Sequence, residues 1–324
     1  MARDNAVPMA TRPAPVPTSK LPAFLRFPLL VVLGFATSMA LYSGASEFID
    51  PQLRAVCRSS NEDYKVASSI AWRLAEMGLG WFASYDDIDL ISFSLLTHSP
   101  WYYLLYTFYD VQPATIAICL SIDAASLAIP TRLLRPRAPA HNPRAAPEAV
   151  PNRSIINDFQ TVTATSLLGS AIYSVVLSAA FLTFLPSFMV VHFEGLVSLV
   201  RAHAASLVTL FITLAPLGYA AREFLLTPSL SAQTHRGDAE HEAFNPETAG
   251  LVEHLMHNFW WGSKKTRVLI KRTATLVVFS WMHSFAHAAG VLEGGDVVGA
   301  AGYSGVWAAG SLLSGLIFRW VENV

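Results

Sequence analysis

The sequence predicts an all-α, polytopic integral membrane protein: a helical bundle of about six transmembrane helices with interfacial amphipathic helices. Composition is the first reason, because 53% of the 324 residues are hydrophobic and 14% are charged, against about 25% charged in soluble domains. The second reason is a series of apolar segments of nearly the length that a helix needs to cross a bilayer. The third is an uneven distribution of Lys and Arg between the loops.

Six segments are predicted to cross the membrane. They are residues 28–43, 99–129, 166–185, 204–221, 273–292 and 297–318. Ser99 and Pro100 suit the first turn of the second segment. That segment exceeds one bilayer, so it must tilt or break at Gln112-Pro113, where proline removes a backbone donor. A tight turn over residues 293–296 makes the last two spans a hairpin.

Three shorter features lie between the spans. Residues 64–82 have an apolar stripe at helical spacing and are predicted to lie in the membrane interface. Residues 187–200 are too short and too polar to span, so they are predicted to form an interfacial or re-entrant helix. The acidic residues from Asp86 to Asp89 are predicted to cap a helix that continues through Leu95.

These features divide the chain into four parts. They are a disordered proline-rich tail (1–23), a two-span part with the interfacial helix (24–129), a flexible basic proline-rich linker (130–153) and a four-span part (154–324) with a cytosolic loop over 222–272.

The Lys and Arg residues predict the orientation. With six spans, 17 of the 22 fall on one face and five on the other, and cationic loops stay on the cytosolic side. Both termini are therefore expected on the cytosol-like face. The sequence lacks a cleavable signal, which favours an intracellular membrane, either the endoplasmic reticulum or, as an alternative, the mitochondrial inner membrane. Prolines in the tail disfavour the amphipathic helix of a mitochondrial presequence, so the endoplasmic reticulum is preferred.

Four ionisable residues within the spans are candidates for a transport or proton-relay role. His283 and His287 are four residues apart and so share a helix face, where they could relay protons or ligate a metal or haem. Asp110 and Asp123 lie in the second span, where burying a carboxylate is costly. We expect Asp110, His283 and His287 to face the bundle interior. Structural hydrogen bonding is the alternative for Asp110, His283 and His287. For Asp123, which lies seven residues before the basic linker, the alternative is that its side chain reaches the membrane surface.

Two further patterns point to lipid and to helix packing. An aromatic and basic cluster abuts the fifth span and is predicted to contact lipid headgroups. Its members are Trp260, Trp261, Lys264, Lys265, Arg267, Lys271 and Arg272. Small residues at the sixth span share an arc of about 100° and predict close approach of another helix, the fifth span first of all. They are Gly295, Gly299, Gly302, Ala309 and Gly310.

Function remains open between three classes. The sequence contains no phosphate loop, nucleophile elbow or catalytic acid pair, which favours a non-catalytic scaffold or assembly subunit. A transporter or channel using the ionisable residues is the alternative, and a histidine-dependent redox or lipid-modifying enzyme is the second alternative. No catalytic residue or cofactor is predicted, although haem or metal at His283 and His287 stays open. The expected partners are the bilayer and other membrane subunits or a second copy, and a net charge of −1 argues against nucleic acid.

Overall fold

A computed structural model describes residues 22–57, 63–233, 250–252 and 263–322. Every regular element in these ranges is a helix, which confirms the all-α prediction. Most of the tail, the middle of the 222–272 loop, and Trp260 and Trp261 lie outside the described residues.

The first half of the chain forms four long helices. They are α1 (Ala23–Leu53), α2 (Asp63–Phe82), α3 (Asp87–Phe108) and α4 (Pro113–Leu134). The ring of Phe27 lies 6.0 Å from that of Trp81, so α1 begins where α2 ends. The backbone N–H of Gln112 donates to the side chain of Gln52 at 2.9 Å, so α4 begins where α1 ends. The four helices therefore run in alternating directions between two ends of one bundle.

Over its described residues, the second half contains nine α-helices. They are α5 (Arg153–Asn157), α6 (Phe159–Thr183), α7 (Leu185–His192), α8 (Val200–Ala204), α9 (Leu207–Thr213), α10 (Ala215–Ala221), α11 (Thr227–Leu230), α12 (Lys264–Gly290) and α13 (Val297–Glu322), with a π-helical turn at Arg222–Leu226 between α10 and α11.

Four helices, α1, α4, α6 and α13, are long and apolar enough to cross a membrane. A fifth candidate is the pair Leu207–Thr213 and Ala215–Leu230, which is bent by 57°. These helices make the chain a membrane-associated protein.

The predicted span over 99–129 consists of parts of two helices. The helical structure is interrupted between α3 and α4, at the position where Pro113 removes a backbone donor. The prediction that Ser99 begins a helix is wrong, since α3 already begins at Asp87. Asp86 caps α3, accepting a hydrogen bond from the backbone of Asp89 in a reciprocal capping box. The acidic cluster therefore has the capping role predicted for it.

The α2 helix is packed into the bundle, which corrects its prediction as an interfacial helix. Met77 is 2% exposed and Glu76 is fully buried, and Met77 lies against Gly34 of α1. Arg135, beyond α4, donates to the carbonyls of Trp81 and Tyr85. The turn after α2 thus lies at the same end as the 135–153 segment, whereas the six-span topology placed the two at opposite ends.

The segment predicted as a flexible linker is held against the bundle. Residues 130–134 belong to α4. Arg137 forms a bidentate ion pair with Asp87, with a shortest distance of 2.7 Å, and Arg153 donates to the carbonyls of Asn142 and Ala145 at 2.6 Å. Charged hydrogen bonds of this kind fix the segment in place, so it closes one end of the bundle.

Gly299 and Gly302 of α13 lie against α7 and not against α12. A Cβ added at Gly299 would lie 2.6 Å from Cβ of His192 and 2.7 Å from the Phe193 ring. One added at Gly302 would lie 2.5 Å from Phe188. The 187–200 segment, which is not one continuous helix, therefore supplies this contact through α7.

The rest of the predicted stripe is divided between several neighbours. Gly310 faces Tyr173 of α6, with 2.9 Å from an added Cβ to the ring. Gly295 faces the Ala288 carbonyl at the turn between α12 and α13, and Ala309 is exposed. Within the stripe, Gly295 faces α12, the predicted neighbour, whereas Gly299 and Gly302 face α7 and Gly310 faces α6.

We expect Gly299→Leu to lower stability by about 2 kcal/mol, because the new side chain must displace His192 and Phe193. The measurement is the melting temperature of the purified protein in detergent. Gly305→Leu is the matched control, since an added Cβ there meets no atom within 4 Å. Equal melting of the two variants would contradict the contact with α7.

Candidate functional site

A cluster of charged side chains lies in the interior of the bundle, centred on Asp123 of α4. The hydroxyls of Tyr42 and Tyr102 donate to this carboxylate at 3.0 and 2.8 Å. Arg73 of α2 approaches it at 3.5 Å and His98 of α3 at 3.2 Å. Three helices, α1 to α3, therefore supply four polar groups to a single carboxylate of α4.

His98 connects the two acids of the cluster. Its Nε2 lies 2.7 Å from Glu76, and its Nδ1 lies 3.2 Å from Asp123. A ring nitrogen facing a carboxylate must carry hydrogen to make a bond, so the doubly protonated imidazolium satisfies both contacts. Arg73 also pairs with Glu76, at 3.2 Å. Two cations and two anions then balance within the cluster.

Helical spacing brings these groups together. Arg73 and Glu76 are three residues apart on α2, and His98 and Tyr102 are four apart on α3, so each pair shares one face. On α4, Ser126 accepts a hydrogen bond from Arg73 one turn after Asp123. These faces of α2, α3 and α4 pack against one another, because a buried charge without a partner would cost several kcal/mol.

The two histidines of α12 extend the cluster. The ring of His283 stacks on His98 with centroids 4.1 Å apart, and the ring of His287 lies 4.1 Å from His283. His287 donates from Nδ1 to the His283 carbonyl at 2.9 Å. Within the described residues, this pair belongs to no group of three converging metal ligands. The arrangement favours ring stacking over ligation.

A cavity of about 270 Å³ lies beside the cluster. Its polar wall includes Arg73, Asp123, His283 and His287, and its apolar wall includes Phe35 and other side chains of α1 and α2. The site can thus hold small polar molecules next to fixed charges, or exchange protons along its histidines.

One known protein family, described as Bouquet formation protein 3 C-terminal domain, matches residues 158–320. That stretch is half of the chain. The chain belongs to this family. No curated protein and no solved structure matches it.

The Bouquet formation protein 3 C-terminal domain covers α6 through nearly all of α13. It therefore supplies His283 and His287 to the cluster, while the paired charges come from α2, α3 and α4, which precede the matched residues. The site lies where the family domain meets the first half of the chain.

Asp110 lies outside this site, which corrects the expectation that it faces the interior. It occupies the turn between α3 and α4, with φ of 58°, and its side chain is 60% exposed and paired with Arg201 at 2.5 Å. The helix break places it at the end of the bundle. Asp123, His283 and His287 are the transport candidates that the structure brings together.

Sequence reasoning missed five members of the site: Tyr42, Arg73, Glu76, His98 and Tyr102. The available signal was the opposite charges of Arg73 and Glu76, which lie three residues apart on the helix predicted over 64–82. Opposite charges at this spacing indicate an ion pair on one face of the helix. Whether that face points into the bundle depends on partner residues in α3 and α4.

The predicted headgroup cluster is split by the fold. Lys264, Lys265, Arg267 and Lys271 lie in the first turns of α12 and stay candidates for lipid contact. Arg272 does not, because its guanidinium donates to both oxygens of Asp89 at 2.5 and 2.9 Å. It is instead an ion-pair partner that ties α12 to α3.

A second charged cluster closes the end of the bundle beside that pair. His141 lies 2.7 Å from Asp86 through Nδ1 and 3.5 Å from Glu223 through Nε2. Among the described residues, Asp86, Asp89 and His141 have atoms close enough to hold a metal. Arg272 already occupies the Asp89 carboxylate, so this geometry favours ion pairs.

We expect stability to fall at high pH because of His141. Burial alone would lower its pKa, but the hydrogen bonds to Asp86 and Glu223 raise the pKa to about 10 from 6.5. The raised pKa contributes stability that is complete below 6.5 and is lost as pH rises through 10. Melting temperature measured from neutral to alkaline pH should therefore fall more steeply in the native protein than in His141→Gln. Parallel curves would contradict the ion pairs.

Proposed function

We propose that this protein is a non-catalytic scaffold or assembly subunit of an intracellular membrane. The observation that carries the proposal is the internal charge balance of the central cluster. Arg73 and His98 face Glu76 and Asp123 at 2.7 to 3.5 Å, so each charge has a partner within the bundle. Such a network fixes the arrangement of helices, and it engages both acids of the cluster in ion pairs.

The family description supports a role in assembly. The printed description of the matching domain names bouquet formation, and we propose that this chain contributes to that process as a membrane component. Its partners would be other membrane subunits or a second copy of the chain, with the bilayer as its solvent and no resident cofactor.

We further propose that the chain crosses the membrane eight times, with both termini on the cytosol-like face. The support is the alternating direction of α1 to α4, which adds two crossings to the six expected and keeps the termini together. The basic segment 135–153 then stays on the cytosol-like face with the turn after α2.

A single cysteine decides between six and eight crossings. Ser84, in the turn between α2 and α3, is exposed. In a protein whose own cysteines are replaced by serine, Ser84→Cys should react with an impermeant maleimide from the same side as Arg144→Cys. Labelling from the opposite side would restore the six-span topology.

The endoplasmic reticulum is the preferred location, with the mitochondrial inner membrane as the alternative. The proline-rich composition of the tail supports this preference. Co-localisation of the full chain with a reticulum marker tests it, and co-localisation with a mitochondrial marker would overturn it.

Co-purification tests the scaffold directly. We expect the full chain, extracted in mild detergent from its native membrane, to retain a membrane subunit or a second copy in fixed stoichiometry. Cross-linking in intact membranes before extraction is the control against association in detergent. A chain that is monomeric and alone by both methods is not a scaffold.

Transport is the second candidate, and the cavity of about 270 Å³ beside Asp123, His283 and His287 favours it. An intramembrane carboxylate next to two histidines is the arrangement of a proton pathway. Proton or cation flux separates this candidate from the scaffold.

A further inference from the structure

A second cavity lies at the end of the bundle that carries the basic segment 135–153, which we call the basic end. It is located among α5, α6 and the π-helical turn. Its volume is about 420 Å³. One wall is the backbone of residues 140–143, which the ion pairs of His141 hold down. The cavity is independent of the central cluster and of the scaffold proposal.

The charges that line this cavity do not balance. Arg222 pairs with Glu223, and His141 pairs with Asp86. Arg153 is different, because it donates to backbone carbonyls and, among the described residues, contacts no carboxylate. Within the part of the chain that the structure describes, one guanidinium charge on the cavity wall therefore has no counter-charge, which an anionic ligand would supply.

The remaining lining is amphipathic. Ile88, Ile156 and Val162 supply apolar surface. Thr227, which is 2% exposed, has a hydroxyl with no hydrogen-bond partner among the described residues. Apolar surface next to basic hydrogen-bond donors at the end of a membrane bundle resembles the environment at the depth where the glycerol and the headgroup of a lipid meet.

We propose that this cavity binds the phosphate headgroup of an anionic lipid from the leaflet at the basic end of the bundle, with Arg153 as its main contact. A guanidinium binds phosphate oxygens through two parallel N–H donors, and basic pockets between membrane helices bind such headgroups. The apolar wall accommodates the first part of the acyl chains, which a free phosphate ion would not use.

The probe is phosphatidic acid mixed with an equal amount of phosphatidylcholine. The delipidated full chain in detergent is incubated with the mixture, and native mass spectrometry counts each retained lipid. We expect selective retention of phosphatidic acid by the native protein. Arg153→Gln should lower that retention about fivefold, the usual effect of one basic residue near anionic lipid.

Arg144→Gln is the matched control, because it removes the same charge from the same segment at an exposed position that does not line the cavity. It should retain phosphatidic acid as the native protein does. Equal losses in the two variants would overturn the site, as would equal retention of both lipids by the native protein.

Two further arms complete the test. Val162→Trp fills the cavity and keeps every charge, so it should also lose phosphatidic acid even if Arg153→Gln does not fold. Unchanged retention in Val162→Trp would overturn the proposal. Inorganic phosphate should not displace the lipid, and displacement by inorganic phosphate would show a site for a free anion.

Discussion

Replacing Asp123 by asparagine is expected to lower the free energy of unfolding by about 3–5 kcal/mol, the usual cost of breaking a buried ion pair. The change leaves Arg73 and His98 sharing the single carboxylate of Glu76. It also weakens the two tyrosine hydrogen bonds that connect α1 and α3 to α4. The measurement is thermal unfolding of the purified protein in detergent.

Asp110→Asn is the matched control for this variant. The same atoms change, but Asp110 is exposed and its pair with Arg201 lies at the end of the bundle, so a loss of at most about 1 kcal/mol is expected. Adding Arg73→Gln to Asp123→Asn should recover part of the stability, since a cation is removed together with the anion. If Asp123→Asn melts like Asp110→Asn, the cluster does not hold the bundle together.

The second large effect is expected for Arg272→Gln. Arg272 pairs with Asp89 and also lies over the rings of Tyr85 and Phe224, 4.5 and 5.0 Å from their centroids. Its loss leaves the carboxylate of Asp89, which is 1% exposed, without its bidentate partner. We expect a decrease of about 3–5 kcal/mol, measured as the melting temperature in detergent.

Lys271→Gln controls for the loss of a positive charge in the same turn of α12, because Lys271 is exposed. It should leave the melting temperature nearly unchanged. An equal effect of the two substitutions would mean that the net charge of the turn matters and the Asp89 pair does not.

Hydropathy predicted the membrane class because four helices here are apolar over the full width of a bilayer. It failed for α2 and α3, whose buried faces carry Arg73, Glu76, His98 and Asp89. These charges lower the hydropathy of each helix considered alone. They are tolerated inside the bundle because their partners are supplied by other helices, and a window along one segment cannot contain that information.

The candidate site, like the fold, was predictable only in part. The spacing of His283 and His287 placed them on one face, and the structure stacks them. The sequence placed Asp110 at mid-depth of one long apolar segment and Asp123 close to the basic linker, from which it could reach the surface. The structure reverses the two, because Asp123 is buried and Asp110 is exposed. The break before Pro113 separated their environments, and which acid became buried depended on Tyr42, Arg73 and His98, which come from three other helices.

We propose that the buried charges form a structural network and not a transport pathway. Proton and cation flux into proteoliposomes containing the native protein tests it most directly, with Asp123→Asn proteoliposomes of equal protein content for comparison. We expect no flux in the native protein above that of protein-free liposomes. Flux that the native protein supports and Asp123→Asn abolishes, while Asp110→Asn retains it, would contradict the account.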